Sequence, residues 1–121
     1  MKTIMIVDDS KAMRLILRRT LRQAGFTALS VVEATNGKEA LELIVQSPPD
    51  LVLSDWNMPE MTGLELLMEL RRRENRVRFG FVTTEGSEDM RATAAAAGAL
   101  FLIAKPFGPE QFGHVLTPIL G

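Results

Sequence analysis

Leu51–Gly63 reads LVLSDWNMPEMTG. An apolar run stops abruptly at Asp55, and a helix start follows within a few residues, because Thr62 and Glu65 have capping-box spacing. A buried strand that ends on a charge is how a parallel sheet presents chemistry at its carboxyl edge. The same junction recurs on either side: TIMIV (Thr3–Val7) runs into Asp8 and Asp9, and LFLIA (Leu100–Ala104) runs into Lys105. Outward from these junctions, apolar runs alternate with helix-period segments along the whole chain. Strands are expected at Lys2–Val7, Leu29–Ala34, Asp50–Ser54, Val77–Thr83 and Ala99–Ala104. Helices are expected near Lys11–Ala24, Gly37–Gln46, Gly63–Glu74 and Glu88–Ala97, with a last one from Pro109 onward.

Local signals agree with that segmentation. Met13, Ile16, Leu17, Thr20, Leu21 and Ala24 share one face of the first helix, and Lys11, Arg14, Arg18 and Arg22 share the other, read as solvent surface. Asn36 and Glu39 repeat the capping-box spacing, Ser87 suits a plain N-cap, and Pro109 suits a first helical position. Gly25 and Gly98 suit left-handed helix ends. Two positions strain local rules. Gly80 lies inside a strand, marking weakness or close backbone packing, and Pro118 is expected to end or kink the last helix near Thr117. Strict alternation predicts an α/β fold: a doubly wound, five-stranded parallel sheet with helices on both faces.

Composition narrows the function. A chain of 121 residues suits one domain, and 14 basic against 15 acidic residues exert no bulk pull toward nucleic acid or anionic membrane. Without cysteine, thiolate chemistry is excluded. The apolar stretch before Asp8 is too short for a signal segment, so a cytoplasmic protein is expected. Arg71, Arg72, Arg73, Arg76 and Arg78 read as a solvated helix end diluted by Glu69 and Glu74, favourable against the helix dipole. His114, the single histidine, reads as structural.

Asp8, Asp9 and Asp55 end neighbouring strands of such a sheet. Each close pair of carboxylates repels by about 4 kcal/mol at 4 Å and an effective dielectric of about 20. A cation makes the cluster tolerable, and Mg²⁺ takes carboxylate, water and phosphate oxygens. A carboxylate can also attack phosphorus to give an aspartyl-phosphate. The Thr83 hydroxyl and the Lys105 ammonium end the fourth and fifth strands. Metal, nucleophile, hydroxyl and ammonium together suit phosphoryl transfer, where catalysis is positioning and charge neutralisation.

VDDS, LVLSDWNMPEMTG, FVTTE and IAKPF, in this order, resemble the motifs of response-regulator receiver domains of the single-domain chemotaxis type. The resemblance spans essentially the whole chain. It implies a flavodoxin-like strand order of 2-1-3-4-5 and Asp55 as phosphoacceptor for a histidine kinase or histidine phosphotransferase. It further implies Mg²⁺, with Mn²⁺ as a substitute, on Asp9, Asp55 and the backbone carbonyl of Asn57, with Asp8 acting through water. Thr83 and Lys105 would bind phosphoryl oxygens, with a cis peptide between Lys105 and Pro106. Asn57 and Glu85 would tune hydrolysis of the phosphate.

The same resemblance implies an effector on the face built by the fourth helix, fifth strand and fifth helix, and a monomer or weak phosphorylation-dependent dimer. It gives a possible kinase-docking role to the first helix. No output domain is expected after Gly121. Leu102 departs from the aromatic residue common in chemotaxis members, which puts an aromatic-swing output in question. Thr84 stands where many relatives carry a smaller residue. Two rival readings are a phosphate sink in a relay and a Mg²⁺-dependent aspartyl-phosphate phosphatase. The latter lacks the acid that such enzymes carry at the position of Asn57.

Overall fold

A computed structural model describes all of residues 1–121. Five strands alternate with five helices: β1 (Lys2–Val7), α1 (Lys11–Gln23), β2 (Leu29–Ala34), α2 (Gly37–Gln46), β3 (Leu51–Ser54), α3 (Gly63–Arg72), β4 (Phe79–Thr83), α4 (Glu88–Ala97), β5 (Leu102–Ala104) and α5 (Pro109–Leu120). The strands form one parallel sheet in the order β2-β1-β3-β4-β5. Right-handed crossovers require helices on both faces of such a sheet, and the strand sequences supply two apolar faces. Ile4 and Ile6, Leu51 and Leu53, Val82 and Ile103 pack with Leu17 and Leu21 of α1 and with Phe112 and Leu116 of α5. Met5, Val7, Val52, Phe79 and Phe81 pack on the opposite face with Ala40 and Ile44 of α2, Leu66 and Leu70 of α3, and Ala94 of α4.

Register aligns the strand ends. Val7 pairs with Ala34 on one side and Ser54 on the other, and Thr83 pairs with Ala104. The residues immediately after these positions therefore meet at one edge.

The helix starts are chemically closed. Thr62 and Glu65 form a complete capping box, with the Glu65 N–H donating to Thr62 Oγ1 at 3.1 Å and the Thr62 N–H donating to Glu65 Oε1 at 2.9 Å. Asn36 accepts from the Glu39 N–H at 2.8 Å, but Glu39 reaches one residue further back, accepting from the Thr35 N–H. Ser87 caps α4 by accepting from the Met90 N–H. Ser10 does the same for α1 through Met13, a cap not anticipated in the sequence.

Pro118 corrects the expectation for the last helix, which continues through it to Leu120. Proline removes its own donor and crowds the carbonyl four residues back, but Pro118 lies so near the helix end that only two residues follow it in α5. The Gly121 N–H still donates to the Thr117 carbonyl, and the Arg78 guanidinium donates to the Ile119 carbonyl. A second correction concerns the basic face of α1. Arg14 and Arg18 are not solvent ornaments but pair with Glu33 of β2. The arginine run at the end of α3 is a solvated face, as the sequence suggests: Arg72 and Arg73 are exposed and pair with Glu69, and only Arg71 turns inward, donating to the carbonyls of Asn75 and Gly98.

Gly80 marks close packing. A Cβ there would stand 2.1 Å from the ring of Phe101, the residue just before β5, which covers the strand. Because Phe101 is only partly buried and its ring can turn outward, Gly80→Ala is expected to cost about 1–3 kcal/mol rather than prevent folding. Urea unfolding measures this; an unchanged midpoint would mean the ring yields freely.

Candidate functional site

At the carboxyl edge of the sheet, Asp8 and Asp9 leave β1 and Asp55 leaves β3. The three residues can each place a carboxylate oxygen within 4.8 Å of the others'. The backbone holds them there. The Asp8 N–H continues the ladder to the Ala34 carbonyl, and the Asp55 N–H donates to the Val7 carbonyl at 2.9 Å. Side-chain bonds complete the placement: Asp8 Oδ1 accepts from the Ser10 N–H at 2.9 Å, and Asp55 Oδ1 accepts from the Trp56 N–H at 2.7 Å. Asp8 is buried, Asp55 half-buried and Asp9 exposed.

Gly63, the first residue of α3, lets that helix approach. A Cβ on it would lie 2.0 Å from the Asp55 carbonyl oxygen, and the Gly63 N–H donates to the Trp56 carbonyl. The Trp56 ring rests 4.7 Å from that of Phe81.

Burial pushes the Asp8 carboxyl above its ordinary pKa, opposed by the Ser10 N–H; Asp55 and Asp9 push it further up, and Lys105 pulls it down. Burial raises Asp55 as well, against the Trp56 N–H, the Lys105 ammonium and the Asn57 N–H. Each group therefore binds its proton more tightly in the folded chain than in the unfolded one. Its contribution to metal-free stability is greatest below the unfolded carboxyl pKa and is lost as pH rises through the raised folded value.

Asp8→Asn keeps an acceptor for Ser10 but removes one charge. In chelator at neutral pH it is expected to melt several degrees above the parent, with the gap closing on acidification. Melting curves at a series of pH values check this; a mutant that melts lower at neutral pH would show that the cluster is not under charge strain.

Thr83 and Lys105 stand opposite. Thr83 is completely buried, and its hydroxyl has no hydrogen-bond partner. The Lys105 N–H donates to the Thr83 carbonyl at 2.9 Å, and the Lys105–Pro106 peptide is cis. The ammonium is close enough to act on both Asp8 and Asp55. Asn57 and Glu85 lie exposed in the loops that follow β3 and β4. The donor set fits a hard divalent cation: all-oxygen, anionic, under mutual repulsion, with an uncommitted buried hydroxyl nearby.

Leu102 is buried on the α4 side of the sheet, whereas Phe101 packs on the α1/α5 side. The neighbouring ring therefore does not replace the missing aromatic. Sequence reasoning missed Gly63, Ser10 and the Arg14–Glu33–Arg18 cluster. The first two lie inside recognised motifs, but the third joins residues far apart in the chain and has no local signature.

Comparisons with known proteins agree with this geometry. The family model for the response regulator receiver domain matches residues 4–117. Chemotaxis protein CheY1 of Helicobacter pylori is 38% identical, the match covering 98% of this chain and 96% of that one. A chemotaxis protein CheY homolog of Campylobacter jejuni is 40% identical over 98% of this chain and 92% of its own. The phosphate regulon transcriptional regulatory protein PhoB of Pseudomonas aeruginosa is 37% identical, but the match covers 52% of its length. Among solved structures, chemotaxis protein CheY4 of Vibrio cholerae superposes with a TM-score of 0.85 at 34% identity, over 99% of both chains. A sheet order, an acidic edge and a family match that all coincide over nearly the full length leave one assignment: the chain belongs to the response regulator receiver domains.

Proposed function

We propose that this chain is a phosphorylation-dependent signalling switch of the chemotaxis type, receiving phosphate on Asp55 from a histidine kinase or histidine phosphotransferase. The convergence of Asp8, Asp9 and Asp55 carboxylates within 4.8 Å carries the reading. A carboxylate oxygen of Asp55 attacks phosphorus, the P–N bond to the donor histidine breaks, and its electron pair returns to the imidazole, which takes a proton from water. Asp55 Oδ1 is engaged by the Trp56 N–H, so Oδ2 is the oxygen with the freer lone pairs.

Asp9, Asp55 and the Asn57 carbonyl would ligate Mg²⁺ or Mn²⁺, with Asp8 supporting through water. Such an ion supplies neutralisation of the charge shared by carboxylates and phosphoryl oxygens. Lys105 pairs with one phosphoryl oxygen, and Thr83 turns its uncommitted hydroxyl to another. Water then attacks phosphorus, the P–O bond to Asp55 breaks, and carboxylate and inorganic phosphate are released. The chain catalyses only these steps on itself.

Asn57 and Glu85 flank the approach of that water, and both are polar and exposed. A phosphoprotein half-life of minutes or less is expected from the decay of purified material; persistence over many hours would argue against this pair as tuning residues. No helix is long and apolar enough to cross a membrane, in keeping with a switch that works in the cytoplasm. Effector contact on the α4–β5–α5 face is part of the same proposal.

Trp56 is the single tryptophan and adjoins Asp55, so its emission reports the site. Titrating Mg²⁺ into metal-free protein and then adding acetyl phosphate is expected to change emission in two steps, with one phosphoryl group found by mass spectrometry. Silence in both steps, with no phosphoprotein, would reject the reading.

A further inference from the structure

We infer that Arg14 is a positioning residue for the carboxylate cluster: held by Glu33, its guanidinium fixes the Asp8 carbonyl and with it the peptide that aims Asp9. The inference rests on the metal-dependent reading above.

Asp8 is bonded at every polar group. Its N–H reaches the Ala34 carbonyl at 3.1 Å, its carboxylate accepts from the Ser10 N–H, and its carbonyl accepts from Arg14 Nη1 at 2.7 Å. That carbonyl belongs to the peptide joining Asp8 to Asp9. Asp9 is exposed and its side chain makes no hydrogen bond to the rest of the chain, so the peptide before it is the held group that places the residue. The one side-chain donor to the peptide that joins the two acidic residues is thus a charged one, Arg14.

The donor is itself aimed. Arg14 Nε donates to Glu33 Oε1 at 2.6 Å, and Arg18 Nε takes the other carboxylate oxygen, Oε2, also at 2.6 Å. Charge-assisted bonds of this length are directional as well as strong. Glu33 belongs to β2, where it occupies the sheet face shared with Leu29 and Val31. Burial alone would raise its carboxyl, but the Arg18 and Arg14 bonds hold it below the usual range. The Arg14 side chain is only 13% exposed, so the guanidinium has little freedom to leave. Glu33 therefore transmits the rigidity of the sheet through Arg14 to the acidic turn.

A simpler account is that the cluster only staples α1 to the sheet edge. Arg18 separates the two, because it shares Glu33 but donates to the Val31 carbonyl and not to Asp8. Charge gives a second discriminator. Deleting a cation beside carboxylates would, by Coulomb attraction alone, tighten Mg²⁺ binding; losing a positioning contact loosens it.

The test measures Mg²⁺ affinity by Trp56 emission and by calorimetry for the parent, Arg14→Met, Arg14→Lys and Arg18→Met, with melting curves for each in chelator. Arg14→Lys keeps the charge but lacks the fork that reaches Glu33 and Asp8 together. Both Arg14 variants are expected to weaken Mg²⁺ binding by about tenfold, as loss of an outer-shell partner commonly does. Arg18→Met is expected to keep parental affinity while melting lower. Unchanged or tighter binding in the Arg14 variants, or equal weakening in Arg18→Met, would overturn the inference. A parent protein that binds no Mg²⁺ would instead overturn the metal-dependent reading itself.

Discussion

Asp55→Asn is expected to end phosphoryl uptake. With Mg²⁺ and acetyl phosphate present, phosphorylation is expected to fall by about four orders of magnitude or more, as it does when a nucleophile is removed while binding groups remain. The geometry makes the loss specific. Asn keeps an oxygen that can accept from the Trp56 N–H, now 2.7 Å from Asp55 Oδ1, so the loop has no reason to move. What disappears is the charge and the second nucleophilic oxygen. Mg²⁺ binding should weaken without vanishing, because Asp8 and Asp9 remain. The Trp56 response to Mg²⁺ should therefore persist at higher concentration while the response to the phosphodonor is lost. Phosphorylation of Asp55→Asn at the parental rate, or phosphate mapped to another residue, would remove Asp55 from its proposed role.

Gly63→Ala is expected to damage both stability and function. The added Cβ would sit 2.0 Å from the Asp55 carbonyl oxygen and 3.0 Å from the Phe81 ring and from Ser54 Oγ. The carbonyl cannot step aside cheaply. Asp55 is tied through its N–H to Val7, and its carbonyl already accepts from Ser54 Oγ at 2.8 Å. The start of α3 must retreat, breaking the Gly63 N–H bond to the Trp56 carbonyl and disturbing the capping box that begins at Thr62. A loss of about 4 kcal/mol or more is expected, the range reached when backbone is forced apart in a packed region. The fraction that still folds should phosphorylate poorly, because the retreat of α3 drags the loop from Trp56 to Thr62 that borders Asp55. Urea unfolding and phosphorylation of the same preparation measure the two effects. Parental stability would mean that α3 yields more easily than its contacts indicate. The contrast with Gly80→Ala is that a movable ring crowds one glycine and fixed backbone crowds the other.

Much of this was legible in the chain because two codes reinforce each other. Apolar runs such as TIMIV and LVLS end on the acidic residues that converge at the sheet edge, so one reading located both the strands and the carboxylate cluster. The order of the strands did not come from those runs; it came with the resemblance, and the sheet has that order. Boundaries slipped where a polar residue ends the ladder. Asp50 was read into β3, yet its carboxylate accepts from the Thr3 N–H at 2.7 Å, fastening the turn before the strand begins. Glu74 was read into α3, but it adopts the left-handed conformation without being a glycine, closing the helix two residues earlier. Pro118 looked like a terminator because local rules do not know how near the helix end it lies. Glu33 carries no local signal in the sequence; only folding brings Arg14 and Arg18 of α1 across it.

In the proposed switch, the uncommitted hydroxyl of Thr83 would weight one state against the other. A fully buried polar group without a partner costs about 1–3 kcal/mol, and that cost falls only on the form in which the hydroxyl is idle. A phosphoryl oxygen on Asp55 that engages it would remove the cost from one conformer and leave it on the other. A difference of that size shifts a two-state equilibrium by about 5–150-fold. With an aliphatic Leu102 in place of a ring, the resting chain would hold its readiness to respond in the relative populations of its conformers, set in advance by one unsatisfied oxygen.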